Sequence, residues 1–157
     1  MTDKVNSAEE LAQDWEEIEF LVDSGASATV IGEDMVKAVK AADPNPNANY
    51  KLADGSIIPN KGYKHFVGVT EEGYKRALNA SVTDVDRPLL SVAQIVQKGG
   101  KVVFSPQGSY VEHHKTRERL ALEQKGGLFM LKMWIPREEN QQRTGGPSFR
   151  GQASGRP

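Results

Sequence analysis

The feature of this chain most suited to chemistry is an aspartate set between an apolar run and a cluster of small residues, Phe20-Leu21-Val22-Asp23-Ser24-Gly25-Ala26-Ser27. Phe20, Leu21 and Val22 draw the base of this segment into a core, so the Asp23 carboxylate emerges where water is partly excluded. Gly25 permits backbone conformations and close approaches that a side chain would block. Ala26 keeps the neighbouring surface narrow enough for a peptide to lie across it. The Ser24 hydroxyl can hydrogen-bond across a loop without competing as a base. Taken alone, Asp-Ser-Gly also reads as an ordinary turn, because Asp and Ser bond their own backbone and Gly supplies positive φ.

The elements around this segment follow from period and punctuation. Trp15 to Val22 reads as a strand running into Asp23, with Ile18, Phe20 and Val22 alternating against Glu17, Glu19 and Leu21. Thr29-Val30-Ile31 resumes a short strand. Glu33 to Ala42 has Met35, Val36 and Val39 at helical spacing and reads as an amphipathic helix, stopped by Asp43-Pro44-Asn45-Pro46-Asn47. Tyr50-Lys51-Leu52 and Ile57-Ile58 flank Ala53-Asp54-Gly55-Ser56, and Asp-Gly between apolar stretches is a hairpin signal. Pro59-Asn60-Lys61-Gly62 makes a second turn. Further strands are expected at His65 to Val69, Ala77 to Val82, Lys101 to Phe104, Ser109 to Glu112, Arg119 to Leu122 and Leu128 to Ile135. Ser91 to Lys98 reads as a short helix ended by Gly99-Gly100. A capping-box pattern, Ser7 with Glu10, predicts a short helix over Ser7 to Asp14. Many short strands with closely spaced turns indicate a mainly β protein, a closed barrel or sandwich with one or two short helices.

Composition bounds the function. With 157 residues the chain holds one domain with a real core. Its 20 basic and 21 acidic side chains leave a formal net charge of −1, unlike the strongly basic balance of nucleic-acid binders. Cysteine is absent, which excludes a disulfide framework, a thiolate nucleophile and a cysteine-based zinc site. No run approaches the roughly 18 apolar residues that cross a bilayer. Met1 to Glu10 is polar and acidic and does not read as a secretory signal. Three segments are expected: an acidic leader over 1–14, a folded domain over 15–136, and a Gly/Arg-rich tail or linker over 137–157 too poor in apolar residues to order itself.

The Asp23-Ser24-Gly25-Ala26 segment after an apolar strand resembles the signature of the retropepsin family of aspartic proteases. Downstream, Leu52-Ala53-Asp54-Gly55-Ser56, then Arg87-Pro88-Leu89-Leu90-Ser91-Val92-Ala93-Gln94-Ile95, then Gly99-Gly100 and Val102-Val103-Phe104 follow in order. This ordered set is similar to the protease region of copia-type retrotransposon polyproteins, over roughly Ile18 to Ile135. The resemblance implies an aspartic endopeptidase that processes a Gag-Pol-type polyprotein in the cytoplasm or within virus-like particles. Two facing carboxylates sharing a proton can take a proton from water and give one to the scissile amide in one step, which a single carboxylate cannot. At about 3 Å and an effective dielectric near 20, two unit charges repel by about 5 to 6 kcal/mol, so such a pair retains one proton. The chain holds one Asp-Ser-Gly, so the resemblance implies a two-fold homodimer with an aspartate from each copy. Asp23, Ser24 and Gly25 are then catalytic. Ala26 and Ser27, with Ala53, Asp54 and Gly55 on a mobile flap, contact substrate. The turn at Pro59 to Gly62 is a competing flap tip. Many retropepsins carry an apolar-apolar-Gly support for the active-site loop, and here that place reads Leu89-Leu90-Ser91.

Two other functions fit the same residues: a retropepsin-like module that dimerises or binds peptide without cutting it, and a domesticated scaffold. No cofactor and no metal are expected. His113 and His114 read as neighbours on an exposed strand, pointing to opposite faces. Nucleic acid is not expected as a partner, apart from weak contact through Arg143, Arg150 and Arg156 in the tail.

Overall fold

The computed structural model describes residues 14–42, 49–51 and 54–137. The expected helix over Ser7 to Asp14 (apart from Asp14 itself), the Asp43 to Asn47 stop, Ala53 and the tail beyond Arg137 lie outside these residues.

The chain is mainly β. Strand β1 (Trp15–Asp23) buries Ile18, Phe20 and Val22 while Glu17 stays in solvent, the alternation its sequence predicts, and Trp15 on the other face is buried in a separate cluster with Val69 and Trp134. It pairs antiparallel with β11 (Leu128–Pro136) from Trp15↔Pro136 to Leu21↔Met130. At its C-terminal end it also runs parallel to β7 (Leu89–Ser91), with Leu21↔Leu89 and Asp23↔Ser91 in register. The short β2 (Val30–Ile31) lies parallel to β6 (Lys75–Val82) and touches β7 at Val30↔Leu89. Strand β5 (Tyr63–Thr70) and β6 form a long hairpin, turned by Gly73 at φ 90°. The β10 (Arg119–Lys125) and β11 pair is a second hairpin, continued by β9 (Ser109–Glu112) and β8 (Lys101–Val103). A separate two-stranded sheet joins β3 (Asn49–Lys51) to β4 (Ile57–Pro59).

The closed barrel is not what forms. The main sheet has nine strands in the order β1-β7-β2-β6-β5-β11-β10-β9-β8. Its β1–β11 pairing links six of them in a circuit, but β2 and β7 meet at one residue pair and β5 and β11 at two. Strands of two and three residues are too short to build a continuous wall. The sheet instead continues through β10 and β9 to an edge at β8. The core lies inside the circuit, around Phe20, Ile31, Val36, Phe66, Val82 and Met133.

The helix expected over Glu33 to Ala42 is replaced by a chain of turns. Val36 adopts φ 54°, a strained conformation for a β-branched residue, and is fully buried. The cause is tertiary. The Glu16 carboxylate on β1 accepts the backbone N–H of Val36 and of Lys37, each at 2.9 Å. The buried Lys64 ammonium donates to the carbonyls of Met35 at 2.8 Å and Val36 at 2.9 Å. These contacts hold backbone groups that a helix would pair internally. Met35 and Val39 still pack against the core, so the apolar pattern survives in a different backbone.

The one helix among the described residues, α1 (Val92–Gln97), is capped by Ser91, whose Oγ accepts the Gln94 N–H at 3.1 Å. Gly99 at φ 95° ends it, with Gly99 N–H bonded to Val96 O and Gly100 N–H to Ile95 O. On β9, the buried Glu112 accepts from Arg119 Nε at 3.0 Å, opposite in register, and pairs with Arg117 at 3.4 Å.

Replacing Glu16 by Ala leaves the Val36 N–H buried without an acceptor and is expected to cost about 2 kcal/mol, read from urea unfolding. The Arg119 hydrogen bond holds Glu112 below the usual carboxylate value of 4.5. A depressed folded value means stability that is present above about 4.5 and lost as pH falls through the folded value. Glu112→Gln is therefore expected to melt below the wild type near neutral pH, with the gap closing in acid. A constant gap across the titration would contradict this.

Candidate active site

Asp23 is the last residue of β1, where the strand has just left pairing with β11 on one edge and still lies beside β7 on the other. The phenyl ring of Phe20 and the side chain of Val22 anchor the strand in the core, and Asp23 itself is half-buried. Its Oδ1 accepts the Gly25 N–H at 2.7 Å, and the Ala26 N–H reaches back to its carbonyl at 3.5 Å. The segment thus turns sharply over small residues. Ser24, Gly25 and Ser27 are exposed, while Ala26 is buried.

The loop is propped from beneath by side chains. Ser91, fully buried, donates its hydroxyl to the Ala26 carbonyl at 2.7 Å. The Ser91 N–H donates to Thr29 Oγ1 at 3.0 Å, and the Thr29 N–H donates to Gln94 Oε1 at 3.0 Å. Gln94 in turn caps back onto the Ser91 hydroxyl through its N–H. Three of these four bonds join the loop after Asp23 to the start of α1, and the fourth caps the helix at the same serine. The serine that stands at the apolar-apolar-Gly position therefore carries a polar contact to the loop that glycine cannot make. Thr29 and Gln94 were not singled out from the sequence. Gln94 lies within the ordered downstream motif, but nothing local signals that its side chain turns back to Thr29.

Asp23, Ser24, Gly25, Ala26 and Ser27 share this one loop. Asp54 and Gly55 lie apart from it, at the turn of the β3–β4 hairpin, which pairs with no strand of the nine-stranded sheet. Asp54 accepts both the N–H (2.9 Å) and the hydroxyl (2.6 Å) of Ser56, and these bonds hold its carboxyl below 3.8. Gly55 has φ 91°, and no atom lies within 4 Å of the place where its Cβ would be. The turn is exposed on all sides.

The competing tip at Pro59 to Gly62 is knitted into the body. Lys61 N–H bonds Val82 O at 2.7 Å, Val82 N–H bonds Gly62 O at 2.8 Å, and Asn60 is buried with its Oδ1 on the Gly62 N–H. A Cβ at Gly62 would sit 3.1 Å from both the Ala41 Cβ and the Ala42 carbonyl. This turn is an anchor rather than a free tip.

His113 and His114 do not point to opposite faces. They lie in the turn after β9 with rings stacked at 4.7 Å, because His113 Nδ1 accepts the Lys115 and Thr116 N–H groups and folds the backbone over. Burial, then the charges of Arg76 and His114, hold His113 below its usual 6.5. Among the described residues no group of three or more His, Cys, Asp or Glu could hold a metal ion, and no helix is long and apolar enough to cross a membrane.

No protein-family model matches the chain, and neither a curated protein nor a solved structure does.

Ser91→Ala removes the donor to the Ala26 carbonyl and the acceptor of the Gln94 N–H. It is expected to cost about 2 kcal/mol. Amide exchange at Gly25 and Ala26 should quicken more than exchange in the β5–β6 hairpin. Equal quickening in both places would mean that Ser91 supports the whole fold and not this loop.

Proposed function

We propose that this chain is one subunit of a retropepsin-like aspartic endopeptidase, acting as a homodimer on the polyprotein of a copia-type retrotransposon. The observation that carries the reading is the half-buried Asp23 at the end of a strand that still pairs with β7, on a small-residue turn braced by a buried hydroxyl. A free turn needs no such brace. A carboxylate that must face its twin within hydrogen-bonding distance does, because small displacements of a reacting group are costly.

In the dimer, one Asp23 from each copy flanks a water. The charged carboxylate accepts a proton from that water as its oxygen attacks the scissile carbonyl carbon. The neutral carboxyl donates its proton to the carbonyl oxygen, giving a tetrahedral diol. In the collapse the C–N bond breaks, the protonated carboxyl gives its proton to the departing amide nitrogen, and one diol hydroxyl passes its proton to the charged carboxylate, so the pair again holds one proton. Ser24 holds the two loops in register across the axis, Gly25 and Ala26 leave room for an extended peptide, and Ser27 lines the groove. The Asp54-Gly55 hairpin, with Ala53, closes over the bound chain. Its exposed, unpacked turn suits this role, whereas the Pro59 to Gly62 turn is tied to β6.

The test is processing of the chain within its natural polyprotein flanks, wild type against Asp23→Asn, between about pH 4 and 7. Wild type is expected to cut itself free and Asp23→Asn to remain whole. If neither is cut while both stay folded and dimeric, the protease reading fails and a silent peptide-binding module takes its place.

A further inference from the structure

Away from Asp23, a cavity of about 370 Å³ opens between α1, β6 and the β9–β11 strands. That is within the usual range for small-molecule sites, roughly 300 to 1,000 Å³. Its floor is apolar: Leu90, Val111, Leu120, Leu131 and Met133, each buried in the core. Its charged lining is mostly cationic, with Lys75, Arg76 and Lys98 beside the imidazoles of His113 and His114. The one carboxylate in the lining among the described residues, Glu112, is already committed to Arg119 and Arg117.

Two of the lining groups are fixed as donors. His113 Nδ1 accepts backbone N–H groups, so the neutral ring carries its proton on Nε2. Arg76 is held in place by Glu118 at 2.9 Å and by the ring of Tyr74, 5.4 Å away. Lys98, exposed at the end of α1, makes no ion pair among the described residues. An apolar floor under a cationic lining matches a ligand with a hydrocarbon body and a single negative head.

We infer that this cavity binds a small apolar carboxylate, with its chain on the leucine and methionine floor and its head among Lys98, Arg76 and His113. The wall next to α1 also contains Thr29, Ser91 and Gln94, so an occupant adjoins the brace beneath the Asp23 loop and is visible there.

The probe is octanoate, titrated into the full chain by NMR, with octanol as the uncharged control. Octanoate is expected to saturate and to shift the Gln94 side-chain amide and the His113 ring, with octanol binding about tenfold more weakly. Lys98→Gln, an exposed position, is expected to weaken octanoate severalfold and leave octanol unchanged. The inference is overturned if octanoate fails to saturate by about 10 mM or saturates without moving Gln94 and His113. It is equally overturned if octanol binds as tightly, or if Lys98→Gln weakens both alike.

Discussion

The arrangement depends on β1 passing from one partner strand to another at Leu21, two residues before it ends. At Leu21 the strand is in register with Met130 of β11 on one side and with Leu89 of β7 on the other. A strand bonded on one edge can slip, and a slip of one residue exchanges its two faces. The shared pairing at Leu21 opposes that slip, with Phe20 and Val22 buried in the core beneath. Asp23 then has one place to be. The parallel partner also brings Ser91 level with it, although the two residues are far apart in the chain.

From that register the polar network arises. Ser91 ends β7 and caps α1, so its side chain lies between the carbonyl of Ala26 and the N–H of Gln94. The contact to Ala26 is sealed from water, where a hydrogen bond is strengthened and a missing one is most costly. The loop after Asp23 is consequently not held by its own turn alone. The Asp23–Gly25 contact is local and would form in many turns, whereas the Ala26–Ser91–Gln94–Thr29 chain exists only if β1, β7 and α1 have assembled.

Much of the β framework was legible because it is local. Alternation marks β1, and Gly-containing turns separate β5 from β6 and β10 from β11. Gly99 and Gly100 mark the end of α1. What was illegible is tertiary in origin. The period through Met35, Val36 and Val39 fits a helix, yet Glu16 and Lys64 capture the backbone groups a helix would use. Leu89 to Ser91 is an apolar run that reads equally as the lead into a helix. It is a strand because β1 lies beside it. At the site, the type and position of Asp23 were readable from its neighbours. The partners of Thr29 and Gln94 were not, since a glutamine on a short helix carries no mark of where its amide will turn.

The strained Val36 turn makes sense beside the residues that come directly after it. Ala42 exchanges two backbone hydrogen bonds with Tyr63, each 2.8 Å. Gly62 fits against Ala41 and Ala42 with no room for a side chain. Ala42 is thus tied to β5, and Lys61 and Gly62, directly after β4, are tied to Val82 of β6. A positive φ at a buried valine costs about 1 to 3 kcal/mol, which persists only where surrounding contacts outweigh it. Here Glu16, Lys64 and the Ala42–Tyr63 pair hold the Val36 segment to the body, while the turn at Gly55 has open space around it. Glu16 belongs to the strand that ends in Asp23, so the clasp that holds the strained Val36 turn is built on the same strand that carries the carboxylate.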